Sequence, residues 1–397
     1  MQFGPVVSEA EIRTVQDGIA NGVRSDGRSL TQRRPFTVVT NRGSTTHFEG
    51  SSVEVHCDGT TVVAAATPSV VELDIDRGQA PRGSLFVNID AVPAVVEHYA
   101  QSVRNNSARY RQAFLSFLAT AIRQTFGAQG VTAEERQQQL GIAEAEIIAD
   151  EGDDEQREGA FGGRGAAEEK PVEETAEQRV DCCGFPGEQL YIGGGYAFRI
   201  DVDAHVLQAH GGSLASIVAL AVHAALKTVR LPSVTLHEAS AGFSLEVDYS
   251  KPYATAVNWS RLPVLSVVHV SPTRHYVVDP TRLEELALPQ QLRVAVNSFG
   301  QVFHMRFQQL PSRRGNAMRL IRSPREEAGK DNSNDNSERD VDGDDVDDSS
   351  RRGFDAGVKG TVGGMNMPDM AAVLHAAVHI SQAVIAECDE ALAGSSG

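Results

Sequence analysis

"AHGGSLASIVALAVHAAL", residues 209–226, is the stretch on which the reading of this chain depends. It follows an alternating strand-like run, turns on paired glycines and continues as an apolar helical pattern. Leu214, Ile217, Val218, Ala221 and Ala225 recur on one helical face, predicting a helix over 213–229 that Pro232 blocks from continuing. A glycine turn leading into a helix has two uses. It can present backbone amides to a phosphate, or it can simply end a strand.

Working outward, "LYIGGGYAFRIDVDAHVLQ" reads as one long strand with a bulge or bend at Gly193–Gly195. Downstream, "VLSVVHV", "HYVVD", "QLRVAVNSFG" and "QVFHMRFQQ" read as strands, and "NMPDMAAVLHAAVHISQAVIAECDEAL" as a long amphipathic helix. Near the start, Ser8 and Glu11 have capping-box spacing, and Gly22 ends a short helix. "RSDGRSL" is then a turn flanked by arginines. "PFTVVTN", "SSVEVHC", "TTVVAAATPSVVEL" and "SLFVNIDAV" are strands, with Asp58-Gly59 as a hairpin turn. A helix begins at Ser107 and ends at Gly127, with Phe114, Phe117, Leu118, Ala121 and Ile122 at helical spacing. Strands followed by a helix occur twice, with a terminal helix added. The fold class is α+β, a duplicated strand-helix unit rather than an alternating parallel sheet. Its parts are a first repeat at 1–133, an insertion at 134–187, a second repeat at 188–322, an insertion at 323–363 and a C-terminal helix at 364–397.

The net charge of −17 is unevenly placed. Residues 134–178 carry 15 acidic against 4 basic residues, and residues 323–350 carry 11 against 3, which leaves the remainder close to neutral. Both stretches have too few large apolar residues to offset the entropy of folding and read as disordered insertions. "FGGRG" at 161–165 is a single copy inside an acidic linker and reads as spacer. At 41% hydrophobic residues the rest can build a full core, and no run reaches the roughly 18 apolar residues of a membrane span. With no signal-peptide pattern at the N-terminus, the expectation is a soluble intracellular protein. Cys57, Cys182, Cys183 and Cys388 lack zinc-ligand spacing and read as structural thiols, so no metal and no cofactor is expected.

Four landmarks in this order resemble the RNase PH family: "RSDGRSL" (Arg24, Asp26, Gly27, Arg28), the strand-turn-helix at 198–234, "YVVDPTRLEEL" and "LRVAVNSFGQV". Within that family the chain is similar to the ribosomal-RNA-processing protein 42/43/45 group of exosome ring subunits. The resemblance covers about residues 15–127 and 188–320 and the last helix; it is least over 99–127, and the acidic insertions are foreign to it. It implies an RNase PH-like fold of the ribosomal protein S5 domain 2-like type, packed side by side into a six-membered ring. S1/KH-type cap proteins would sit on one face, and single-stranded RNA would thread the channel.

The resemblance also implies where chemistry would lie. Active members hold the attacking phosphate with an arginine after the glycine turn; this chain reads Gly211, Gly212, Ser213, Leu214. An apolar side chain cannot bind phosphate bidentately, so Leu214 is expected to pack inward with Ser213 as N-cap. Asp279 and Glu285 fall where active members carry two carboxylates. Asp-Pro is also an ordinary turn starter, and Glu284 and Glu285 suit the first turn of a short helix. Arg104, Arg109 and Arg111, before and within a helix start, are the candidates for contact with RNA phosphates, or else a solvated face.

The expected function is a non-catalytic ring subunit supporting 3′-to-5′ RNA processing and degradation, including rRNA maturation and mRNA decay, in the nucleus, nucleolus and cytoplasm. One alternative is an active phosphate-dependent exoribonuclease using Asp279 and Glu285, with phosphate bound by backbone amides and Ser213 alone. Another is an acidic histone- or chaperone-type binding protein whose function lies in the two acidic stretches.

Overall fold

The alternating pattern "SSVEVHC" buries Val53, Val55 and Cys57 and turns the residues between them away, and the same period-two logic builds the strands around it. The computed structural model describes residues 7–41, 48, 50–73, 80–100, 108–128, 184–239, 242–288, 290–309 and 367–394. The first sheet takes β1 (Thr37–Asn41), β2 (Ser51–Cys57), β3 (Thr60–Glu72) and β4 (Ser84–Ala91) from the N-terminal half. It takes β5 (Tyr191–Gly193) and β6 (Tyr196–Gln208) from beyond the first insertion. Its order is β1-β2-β3-β6-β4, with β5 paired to β6; β6 runs antiparallel to β3 and parallel to β4. The second sheet, β10-β9-β11-β12, is antiparallel and comprises β9 (Val264–Val270), β10 (Tyr276–Val278), β11 (Gln290–Val296) and β12 (Val302–Gln309).

Helix α1 (Glu9–Ala20) opens on the expected Ser8–Glu11 capping box. Helices α2 (Pro93–Ala100) and α3 (Ala108–Phe126) follow β4. Helix α4 (Leu214–Thr228) packs on β2, β3 and β6 of one sheet and on β9 of the other. Residues Ile217 through Leu226 are therefore buried all round the helix. The single apolar face read from the sequence is incomplete, because a helix between two sheets must be apolar on both sides. The short α5 (Arg282–Ala287) precedes β11, and α6 (Met367–Gly394) lies against β9, β11 and β1.

The first sheet draws strands from both sides of residue 188, with β6 inserted between β3 and β4. Several expectations need correction. The long strand at 190–208 is a hairpin, since Gly193, Gly194 and Gly195 all take positive φ and reverse the chain. Helix α2, opened by Pro93 at its first position, and the ribbon of β7 (Pro232–Ala239) with β8 (Gly242–Pro252) are additions to the sequence reading. Finally, Asp369–Gly394 is long and apolar enough by composition to cross a membrane, with a mean hydropathy of 1.4 over its best 18 residues. Its alanines raise that value, and the helix lays Val373, Ala377, Ile385 and Cys388 into the core. Cys57 and Cys388 are free buried thiols, which burial pushes up to about 11 and about 12; Cys182 and Cys183 lie outside the described residues.

Candidate functional site

The turn before α4, the arginine-flanked loop after α1 and the Asp279–Ala287 segment converge. Gly211 has φ +83°, and a Cβ on Gly212 would collide with the Pro280 carbonyl oxygen. The second glycine is thus accounted for by backbone contact with the Asp279-Pro280 turn. The carbonyls of the glycine turn are also engaged. His210 O accepts from Arg34 Nη1 at 3.1 Å and from Thr60 Oγ1 at 3.2 Å, and Gly211 O accepts from Tyr99 Oη at 2.7 Å. Burial, reinforced by Glu285, raises the Tyr99 pKa, so its hydroxyl stays a donor.

Leu214 is buried in the main core, as expected. Ser213 departs from expectation. With φ 11° and ψ 57° its side chain makes no capping bond, and its Oγ meets Ser216 Oγ at 2.7 Å instead. The turn's approach to Pro280 puts Ser213 outside the extended backbone from which a cap reaches the amides of the first turn.

Asp279 sits at φ 46° with its carboxylate enclosed by donors. Arg34 binds it bidentately, Nε at 2.9 Å and Nη2 at 2.7 Å, and adds its backbone N–H at 2.8 Å. Arg28 Nη1 donates at 2.8 Å. Burial works against the charged form, but the Arg34 hydrogen bonds and the two positive charges outweigh it and hold the carboxyl below the usual range. Arg24 donates to Glu284 at 3.0 Å and 2.8 Å, both side chains being essentially inaccessible. Glu284 closes a capping box with Thr281 on α5. The "RSDGRSL" motif is therefore a clamp: its first arginine holds Glu284 and its second holds Asp279.

Glu285 accepts from Arg282 Nη1 at 2.8 Å, and that guanidinium lies 4.3 Å over the Tyr99 ring. Beside them is a cavity of about 90 Å³ bounded by Phe117, Leu214, His269, Glu285 and Arg293, among others. Arg293 stacks 4.4 Å over Phe117, and burial, then Arg306, pushes its pKa down to about 10. Burial also lowers the His269 pKa; donating from Nδ1 to Leu288 O at 3.3 Å, the neutral ring turns an Nε2 lone pair inward. His269 Nε2 and Arg293 Nε find no hydrogen-bond partner among the described residues.

The structure thus brings together Gly211, Gly212, Ser213, Leu214, Asp279 and Glu285. Arg104 lies outside the described residues, as do the side chains of Arg109 and Arg111 at the start of α3. Sequence reasoning missed Arg34, Tyr99, Arg282, His269 and Arg293. Only Arg282 carried a local signal, three residues before Glu285 on a helix.

No protein-family model matches the chain, and no curated protein is similar to it. Solved structures are. A chain of the archaeal exosome core overlays on 96% of this chain and 97% of its own length, with a TM-score of 0.51 at 15% identity. A chain of the Archaeoglobus fulgidus exosome with RNA bound to the active site overlays on 96% and 98%, with a TM-score of 0.53 at 15% identity. At such identity the likeness is one of architecture, and the chain has the RNase PH-like fold of exosome core subunits.

Proposed function

We propose that the chain is a non-catalytic subunit of an exosome-type ring, supporting 3′-to-5′ RNA processing and degradation, rRNA maturation included, in the nucleus, nucleolus and cytoplasm. Its neighbours would be other RNase PH-like chains and S1/KH-type cap proteins, with RNA passing through the assembled channel. The observation that carries this reading is the state of Asp279. A carboxylate bound by Arg34 and Arg28 is spent on holding the Asp279-Pro280 turn against Gly212, and a low pKa suits an ion pair rather than a general acid. Leu214 supports the same reading, because the position where the resemblance places a phosphate-binding arginine is filled by a buried apolar side chain.

The test incubates 5′-labelled single-stranded RNA with the purified chain, magnesium and inorganic phosphate. The expected result is no release of nucleoside diphosphates. Release that Glu285→Gln abolishes, in a protein that still folds, would establish the phosphorolytic alternative instead. Assembly is tested separately by identifying the proteins that co-purify with the tagged full chain. Other RNase PH-like chains and cap proteins are expected, and histones alone would favour the acidic-chaperone reading.

A further inference from the structure

Helix α6 presents an unusual outer face. Its inner face is anchored by Val373, Ala377 and Ile385, by Ser381 Oγ at 2.7 Å from Ser266 Oγ, and by Gln382 Nε2 donating to Ser298 O at 3.1 Å. The exposed positions along most of its length are Ala371, Ala372, His375, His379, Ala383 and Ala386. An ordinary solvated helix face carries lysines, glutamates and other charges. Here two imidazoles, four residues apart, stand among alanines.

Residues at i and i+4 lie one above the other on a helix, and two histidines so spaced are a ready pair of metal ligands. The His375 and His379 ring centroids are 5.6 Å apart, with planes at 61°. Two imidazoles binding one ion at about 2.0–2.1 Å in tetrahedral geometry have ring centroids about 5 Å apart, close to the separation seen here. Among the described residues the flanking exposed positions are alanines, and the packed inner face fixes the helix that carries the pair. Imidazole nitrogen suits zinc, nickel and copper, whereas magnesium and calcium seek oxygen.

We propose that His375 and His379 form a two-imidazole site for a divalent transition-metal ion on the outer face of α6. Among the described residues no third histidine, cysteine or carboxylate joins them in a group that could hold a metal. The ion keeps its other coordination positions for water or for a ligand from another molecule. This site is independent of the ring reading, and the cysteine spacing that led to an expectation of no metal did not bear on it.

The experiment titrates the chelator-treated full chain with zinc, nickel or copper(II) by calorimetry, with magnesium as the control, and records the copper(II) electron paramagnetic resonance spectrum. One site is expected for each transition metal, none for magnesium, and a two-nitrogen copper signal. His375→Ala or His379→Ala alone should weaken binding at least about tenfold, since each removes the chelate, and the double variant should abolish the site. Alanine favours helix, so these variants keep the fold, which circular dichroism checks. Ala383→His in the His375→Ala background recreates an i, i+4 pair with His379 and should restore binding. Equal metal binding by wild type and double variant, or no restoration by Ala383→His, would overturn the proposal.

Discussion

Asp279 keeps a left-handed backbone, uncommon for any residue but glycine, because its carboxylate is bound from several directions. Its main partner, Arg34, is itself buried, so each charge requires the other. Asp279→Ala should therefore destabilise the fold by about 3–5 kcal/mol, as expected when one member of a buried ion pair is removed. Because the folded-state pKa lies below the ordinary carboxylate value, the contribution is complete above about pH 4. It is lost as pH falls through the depressed folded value. Urea unfolding of wild type and Asp279→Ala over a pH series should show a gap that is constant near neutrality and narrows on strong acidification. A gap that does not change with pH would mean the carboxylate acts through its shape and not its charge.

The contact between the turn before α4 and the turn before α5 is the equivalent question for elements. Gly211 and Gly212 are adjacent, yet they are glycine for different reasons. Gly211 needs a positive φ, while Gly212 needs the space that Pro280 occupies. Gly211→Ala should cost about 1–2 kcal/mol, the usual penalty for a side chain in left-handed backbone, plus a small shift of Arg34. Gly212→Ala must separate two backbones and should cost about 3 kcal/mol or more. Urea midpoints of the two variants test this, and equal losses would refute the assignment of Gly212 to packing. The sequence showed a glycine turn with two possible uses. Leu214 already favoured the structural use; what no local pattern could show is that Pro280, 68 residues away, packs against Gly212.

For the whole molecule, the two acidic stretches at 134–178 and 323–350 lie outside the described residues, but the elements that flank them are well anchored. Phe126 at the end of α3 and Leu190 before β5 are both fully buried, and α6 is held by its own inner face. Each insertion thus connects elements that the core already fixes, and loop-closure entropy changes only slowly with length. Replacing residues 134–178 and 328–350 with short Gly-Ser linkers should move the Tm by no more than about 3 °C. It should also leave the co-purifying partners unchanged. Loss of partners with an unchanged Tm would identify an insertion as an interface.

Periodicity, caps and turns are local properties, so the sequence by itself determined that α1 begins at a capping box, that β2 alternates and that Leu214 points inward. It also singled out "RSDGRSL" and "YVVDPTRLEEL" as separate landmarks. What it left open was every relation across long separations. The insertion of β6 between β3 and β4 depends on hydrogen bonds between strands whose pairing has no local signature. The grip of Arg34 on Asp279 spans 245 residues, and Arg34 looks like any surface arginine until the chain folds. Only the tertiary structure decided that these carboxylates are held by arginines and that the glycine turn is filled by a proline, because a residue's partners are set by what folding brings within a few ångströms.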